Sequence, residues 1–169
     1  MSNVIALKKY GDNIIKEITG SGAIYPGMLL ERDYSSGSLV KAHSGEGQNA
    51  QPLFAIADAL QGEDIDDAYA DGDRIRCEYF RPGDEVNAIL EDGNSVEPGD
   101  YLESAGNGYL QAHTADVQAD SSANATDFTA YTNQIVAVAI EVLALSGDSS
   151  AESSASPLAL QRRIKVEIV

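Results

Sequence analysis

The sequence predicts an all-β protein, and three features support that prediction. Apolar and polar residues alternate strictly in several short stretches, as they do in half-buried strands. Turn-forming residues, among them 15 Gly and 5 Pro, interrupt the chain about every 8 to 12 residues, the spacing typical of sandwiches and barrels. No convincing helical period is present. We therefore expect around ten strands, arranged as a compact barrel.

The clearest strand is predicted at residues 74–79, where Ile75 and Cys77 share one face with a tyrosine and charged residues occupy the other. A turn at residues 81–84 follows it, and residues 86–90 alternate again. Two alternating stretches separated by one short turn are typical of a hairpin. We predict that these two strands pair with each other.

The other strands are predicted from alternation or from β-branched content. Residues 163–168 alternate like residues 74–79, and residues 135–145 form an almost continuous apolar run whose β-branched residues favour a central strand. One face of that strand, with Val136, Val138, Ile140 and Val142, should pack against a thick layer of core. The opposite face, with Ala137 and Ala139, should pack against a closely spaced layer. Shorter strands are expected at residues 4–7, 14–18, 28–32, 39–42, 53–57, 100–103 and 109–111.

One kind of turn recurs, with Pro-Gly at residues 26–27, 82–83 and 98–99. Proline sets φ at the first central position and glycine accepts positive φ at the second, which is type II turn chemistry. Each turn should begin a strand. Residues 115–132 and 146–156 are rich in small and polar residues and are expected to form long, mobile surface loops.

The length and composition indicate one domain. The chain has 169 residues, of which 43% are hydrophobic, enough for a single core. We divide it into an N-terminal arm with the first strand, residues 1–20, and a β-barrel domain, residues 21–169. The N-terminus has neither the apolar run of a signal peptide nor that of a membrane span, so synthesis in a cytoplasm is expected.

The charge distribution favours a protein partner. Lys and Arg total 11 against 27 Asp and Glu, a net charge of −16, which repels nucleic acid and anionic lipid. Both chain ends are mildly basic, whereas the middle of the chain is strongly acidic. This asymmetry suits a protein that docks through one side, and neither nucleic acid nor a membrane is expected as a partner.

No residue pattern predicts catalysis, a cofactor site or a metal centre. The acidic run at residues 63–73 is expected to be a solvated loop held by Ile65 and Tyr69, with weak calcium binding as the alternative. His43 and His113 are the only histidines and are expected at the surface, since no hydrolase motif surrounds them. Cys77, the single cysteine, should pack in the core.

Two other classes of function stay open. The eight tyrosines could stack on sugars, so a surface adhesion module that binds host glycans is one alternative. A small β-barrel enzyme that uses His43 or His113 is the other. Because the tyrosines are scattered along the chain, packing in strands and turns is the favoured interpretation of most of them.

The order of several motifs resembles that of tailed-phage capsid decoration, or cement, proteins. These motifs are Ala55-Ile56-Ala57, the stretch from Asp64 to Arg76, and the Pro-Gly-Asp turns at residues 82–84 and 98–100. They continue with Gly106-Asn107-Gly108-Tyr109-Leu110, a segment at residues 135–141 and a final strand at residues 163–168. The resemblance covers residues 20 to 169, with a variable loop before the final strand.

The resemblance implies a small β-barrel or β-tulip that binds the major capsid protein. Such a subunit would be made in the host bacterial cytoplasm and sit as a trimer on the outer surface of the expanded capsid, at three-fold and quasi-three-fold positions. It would stabilise the shell against internal DNA pressure without a cofactor.

Two sets of residues are candidates for these contacts. The N-terminal arm is expected to add a strand to an exposed edge of the capsid protein, through Val4, Ile5, Leu7, Lys8, Lys9 and Tyr10. Contacts within the trimer or with the capsid are expected from Leu158, Leu160, Arg162 and Arg163.

Overall fold

A computed structural model describes residues 4–35, 39–114, 132, 134–145 and 162–169. In this part of the chain all regular structure is β, so the predicted all-β class is confirmed. The thirteen strands are β1 (Ala6–Lys8), β2 (Ile14–Thr19), β3 (Leu30–Asp33), β4 (Leu39–Ala42), β5 (Leu53–Ala55), β6 (Arg74–Tyr79), β7 (Glu85–Ile89), β8 (Ser95–Val96), β9 (Tyr101–Ser104), β10 (Leu110–Ala112), β11 (Ile135–Ala139), β12 (Leu143–Ala144) and β13 (Arg163–Ile168).

The strands form four antiparallel sheets. The largest has six strands in the order β1-β7-β13-β11-β9-β10, and a three-stranded sheet has the order β2-β6-β5. Two further pairs are β3-β4 and β8-β12. These sheets are open, so the described strands do not close the compact barrel that the turn spacing suggested. Across the same residues, no helix is both long and apolar enough to cross a membrane.

The three predicted Pro-Gly turns are confirmed. Gly27, Gly83 and Gly99 have φ of 91°, 91° and 101°, and in each turn the residue after glycine donates its backbone N–H to the carbonyl three residues earlier, at 2.9–3.1 Å. Strand β7 starts two residues after Gly83 and β9 two residues after Gly99. Proline and glycine thus determine where the chain changes direction.

The predicted hairpin between residues 74–79 and 86–90 is wrong, although both strands exist. Strand β6 pairs with β2 and β5, whereas β7 pairs with β1 and β13. The turn between them sends β7 into the other sheet, where the N–H of Gly83 donates to the carbonyl of Ile168 at 2.8 Å. The linker is therefore a crossover between sheets.

Two apolar clusters fill the space between the sheets, and β7 separates them. Val86 and Ala88 lie in the larger cluster, which also holds Phe54, Leu102 and Ile164. The side chain of Ile89, on the opposite face of β7, lies in the smaller cluster with Ile75, Cys77, Leu30 and Val40. Because β7 is buried on both faces, it is the central structural strand of the fold.

The apolar run at residues 135–145 forms two strands, and its predicted facing is confirmed for Val136 and the two alanines but wrong for Ile140 and Val142. Ala137 and Ala139 are buried at 0% and 1% exposure, whereas Ile140 and Val142 are 38% and 65% exposed. The register with β9 shifts between Ile135 and Ala137, and the chain leaves the large sheet at Ile140 to pair with β8. The small side chains therefore occupy the close-packed face.

Candidate docking surface

The N-terminal arm is part of the large sheet of its own chain. In β1, Ala6 pairs with Val86, and the carbonyl of Ile5 accepts the N–H of Asn87 at 2.7 Å. The Ile5 side chain is 2% exposed in the larger core cluster, whereas Val4 and Tyr10 are 52% and 68% exposed. The arm residues thus divide into one that anchors the fold and several that face solvent.

A buried carboxylate holds the end of the arm. Asp84 has no exposed surface, and it accepts the backbone N–H groups of Tyr10 and Arg81, both at 2.9 Å, and the side-chain amide of Asn13 at 2.7 Å. Burial alone would raise the pKa of this carboxyl, but these hydrogen bonds and the nearby Arg81 charge lower it. The Pro-Gly-Asp turn therefore also fixes the chain before β2.

Two adjacent lysines of the arm form ion pairs of different kinds. Lys8 lies 3.2 Å from Glu85, with both side chains partly exposed. Lys9 pairs with Glu78, whose side chain is only 1% exposed. The alternation of residues 74–79 predicted that Glu78 faces solvent, which is wrong because the arm covers that face of β6. Lys9 supplies the opposite charge that the buried carboxylate needs.

Strand β2 presents two adjacent isoleucines to solvent. Its first four residues are exposed on both faces, with Ile14 at 56% and Ile15 at 47%. Ile15 lies opposite Glu78, and Ile14 lies opposite Tyr79 on the other face. Because β2 is a terminal strand of its sheet, no other described strand shields either isoleucine on that side.

An open groove of about 540 Å³ lies between the arm and the three-stranded sheet. We call it the arm groove. The arm contributes Val4 to Ala6 and Lys9, and the sheet contributes Ile15 and Glu78. The opposite wall follows the chain beyond β5 and the start of the acidic loop: Ile56, Ala57, Ala59, Gly62, Glu63 and Asp64. Exposed apolar side chains thus meet carboxylates at one surface.

The acidic loop, residues 63–73, is held as predicted by Ile65 and Tyr69, which are 1% and 9% exposed. Burial raises the pKa of Tyr69 to about 12. Asp67 accepts the backbone N–H of Asp64 at 2.7 Å, and Asp73 accepts that of Ala70 at 2.8 Å. No three metal-ligating side chains come together within the ranges described. The loop carboxylates that form these bonds cap backbone turns.

Arg162 and Arg163 do not have the surface positions predicted for contact residues. They are 5% and 7% exposed. The Arg162 Nε donates to the carbonyl of Leu90 at 3.2 Å, and its guanidinium lies 5.0 Å from the centre of the Tyr109 ring. Arg163 donates to the carbonyls of Pro26, at 3.0 Å, and Ile65. Both arginines therefore tie strand β13 to neighbouring loops.

His43 is buried, which corrects its predicted surface position. It is 3% exposed, and its Nε2 donates to the carbonyl of Asn49 at 3.0 Å, which leaves Nδ1 to accept the hydroxyl of Ser104 at 2.7 Å. A serine beside a histidine can act as a nucleophile in hydrolases. Here Ser104 has no exposed surface, so a substrate cannot reach its oxygen, and the pair serves to join two segments of the fold.

His113 is also more enclosed than predicted, with its side chain 18% exposed. Its Nδ1 lies 2.5 Å from Oε2 of Glu103, which also accepts the Gln134 amide at 2.9 Å. The other oxygen, Oε1, accepts the Gln111 amide at 3.1 Å. The ring borders a second open cavity of about 560 Å³ together with Val169. This cluster connects β9, β10 and the start of β11.

The prediction for Cys77 is confirmed. The thiol is fully buried among the apolar side chains of the smaller cluster. Burial raises its pKa to about 11, against a weaker opposing effect of the nearby Arg32 and Lys16 charges. Leu158 and Leu160, and both predicted loops apart from Thr132, lie outside the described residues.

Sequence reasoning missed Asp84, Glu78 and Ile15 as determinants of this surface. The adjacent isoleucines at positions 14 and 15 could have indicated an apolar surface outside the main core. Neighbouring side chains in a strand point to opposite faces, so both isoleucines cannot enter the same core. The roles of Asp84 and Glu78 depend on contacts with Tyr10, Asn13 and Lys9, which lie far away in the sequence and which no local pattern contains.

Comparison with known proteins finds a structural similarity but no sequence match. No family model and no curated protein matches the sequence. Among solved structures, the chain is similar to the N base of the head fiber protein gp8.5 of bacteriophage phi29, with a TM-score of 0.52. The alignment covers 94% of this chain and 95% of the phage chain at 10% sequence identity. The two chains therefore share a fold over almost their full lengths.

Proposed function

We propose that this protein is a structural component of a bacteriophage head, and that it decorates the outer surface of the expanded shell as a cement protein. The shared fold with the base of the phi29 head fiber carries the proposal, because the similarity extends over nearly all of both chains. That domain is a structural part of a phage head, which is the class of protein that we propose for this chain.

The distribution of exposed groups also supports a protein partner. Exposed apolar side chains lie next to terminal strand β1, at Val4 and Tyr10, and on terminal strand β2, at Ile14 and Ile15. Terminal strands with exposed apolar residues are suited to pair with another chain. The net charge of −16 disfavours nucleic acid and anionic lipid as alternatives.

The mechanism follows from linkage. A protein that binds the expanded shell, and not its precursor, stabilises the expanded state by its binding free energy. Several contacts from one subunit to neighbouring capsid proteins would add, since the second contact forms at high effective concentration. We place the subunit at three-fold and quasi-three-fold positions as a trimer, as the sequence resemblance implies.

The test is co-sedimentation of the purified protein with expanded heads and with unexpanded precursors of the phage that encodes it. We expect saturable binding to expanded heads only, and a higher melting temperature of the heads that carry the protein. Equal binding to both forms, or unchanged melting, would contradict a cement function. Binding to a sugar array instead would favour the glycan-binding alternative.

The trimer has its own measurement. Multi-angle light scattering should give three times the mass of one chain, either free in solution or after mild release from heads. A monomer mass under both conditions would refute the trimer and leave the shell-binding proposal in place.

A further inference from the structure

We propose that the arm groove binds an extended segment of the head's shell protein, with apolar residues at its centre and lysine or arginine at its ends. This inference rests on the proposed function only in naming the shell protein as the partner. The chemistry of the segment comes from the groove itself, whose walls are described above.

The apolar centre of the segment follows from the side chains that the groove leaves in water. Val4 and Ile15 both line the groove, and their side chains are 52% and 47% exposed. Ile56 and Ala57 add apolar surface on the opposite wall. Covering such side chains is favourable in proportion to the apolar area removed from water.

The extended conformation follows from the strands that border the groove. Strand β1 is the first strand of the six-stranded sheet, and β2 is the first of the three-stranded sheet. No described strand pairs with either of them on its outer side along Ala6–Lys8 or at residues 14–17. Both strands thus leave a free backbone edge next to the groove, and an extended segment is the conformation that can pair with such an edge.

The basic ends follow from the charge of the rim. Glu78 inside the groove is already paired with Lys9, so the negative charge of the rim comes from the exposed Glu63 carboxylate and from the acidic loop that follows it. The rest of the acidic loop continues this charge with Asp67, Asp71 and Asp73, and it contains no lysine or arginine. Asp66 of the loop is paired with Arg163 of β13. Complementary charge on a partner increases both its association rate and its specificity.

The chain offers matched variants for an apolar test. Ile15→Thr removes apolar surface from the groove, and Ile14→Thr makes the same change one residue away on the opposite face of β2. Threonine is β-branched, so both variants keep the strand preference. Urea unfolding of the two variants serves to verify that both fold.

Charge is tested in the same way. Glu63→Lys reverses a charge on the groove wall, and Glu97→Lys makes the same reversal in the exposed turn before β9, which does not line the groove. Both positions are exposed, so neither variant should change the fold.

The probe is a fluorescein-labelled peptide of alternating valine and threonine with two lysines at each end. A second peptide with glutamates at its ends is the control. We expect fluorescence anisotropy at low salt to show binding of the lysine peptide only. Ile15→Thr and Glu63→Lys should weaken this binding by at least about threefold each, and the two control variants should leave it unchanged. Equal binding of both peptides, or equal effects of the matched variants, would overturn the proposal.

Sedimentation with expanded heads separates the two proposals. We expect Ile15→Thr and Glu63→Lys to reduce head binding, and Ile14→Thr to bind as the unchanged protein does. Should the unchanged protein bind heads and the groove variants bind equally well, the groove assignment is wrong and the proposed function stands. Should the unchanged protein not bind heads, the proposed function fails, and the peptide measurement alone decides the groove.

Discussion

Replacing Asp84 by asparagine tests whether one buried carboxylate fixes the N-terminal arm. The carboxylate accepts three hydrogen bonds at 2.7–2.9 Å, from Tyr10, Asn13 and Arg81. In Asp84→Asn one of its two oxygens becomes an NH₂ group, which cannot accept. The amide oxygen retains two bonds at best, and the remaining donor then faces another donor.

The expected loss of stability in Asp84→Asn follows from these three hydrogen bonds. Leaving one buried donor without an acceptor costs about 1–3 kcal/mol, and two bonds to a charged acceptor become bonds to a neutral one, at about 1 kcal/mol each. Removing a buried charge offsets part of this loss, because burial disfavours the ionised carboxyl. We expect Asp84→Asn to lower the free energy of unfolding by about 2 kcal/mol, which shifts the urea midpoint by about 1 M.

The same group predicts a pH dependence. Since the pKa of Asp84 is lowered in the folded protein, its contribution is complete above the usual value of 3.8 and is lost as the pH falls through the folded pKa. The difference in stability between the unchanged protein and Asp84→Asn should therefore be constant near pH 7 and shrink below about pH 4.

Asp100→Asn is the control. Asp100 occupies the same position in the other Pro-Gly-Asp turn and accepts one hydrogen bond, from Glu97 at 2.8 Å, but it is exposed. We expect this variant to lose less than about 1 kcal/mol. Hydrogen exchange at the amides of residues 5–10 should accelerate in Asp84→Asn alone. Equal destabilisation by the two variants, or unchanged exchange in the arm, would refute the anchoring role.

Three further predictions concern single residues in the core and the arm. Lys9→Met should destabilise the fold by about 2–3 kcal/mol in urea unfolding, because it leaves the buried Glu78 carboxylate without its cation. Cys77 should react with a disulfide reagent at pH 8 at least about 100-fold more slowly in the folded than in the unfolded protein, since its thiol is buried and its pKa is about 11. Gly27→Ala should cost about 2 kcal/mol more than Gly99→Ala, because an added Cβ at Gly27 would lie 2.9 Å from a backbone oxygen of β7, whereas Gly99 has open space.

Each of these predictions has a control or a contradicting result. Lys8→Met removes the neighbouring, solvent-exposed ion pair and should change the urea midpoint much less than Lys9→Met; equal shifts would contradict the importance of burial. Rapid labelling of Cys77 without denaturant would show that the smaller cluster opens readily. Equal losses in the two glycine variants would show that positive φ, common to both sites, and not the close contact, determines the cost.

Local patterns in the sequence predicted the strands well, because alternation and turn chemistry act over a few residues. Strand β6 and strand β13 have the predicted bounds, and glycine has the predicted positive φ in all three Pro-Gly turns. The short strand β8 was missed because two residues provide no period. Element positions were thus accessible from the sequence alone.

The pairing of strands and the direction in which their side chains face could not be predicted from the sequence, because both depend on distant parts of the chain. The β6–β7 hairpin was wrong since the turn between them leads to a different sheet. Glu78 and Arg163 alternate as solvent-facing residues do, but the arm covers Glu78, and Arg163 reaches the carbonyls of two loops. Polar residues at alternating positions can be buried wherever another segment supplies their partners.

The sequence selected part of the surface that we propose for docking. The arm was selected from its charge and position, and the structure places Val4 and Lys9 in the arm groove. Its association with its own sheet, and the contribution of Ile15, required knowledge of how the two sheets lie together. Arg162 and Arg163 were selected from the family resemblance and the basic charge near them, and neither distinguishes an exposed arginine from a buried one.

Electron cryomicroscopy of the mature head tests the central claim most directly. If the protein decorates the shell, density that fits this fold should appear on the outer surface at three-fold and quasi-three-fold positions, with the arm groove against the shell protein. Density for the fold at another place in the particle, or particles that contain none of the protein, would contradict the account.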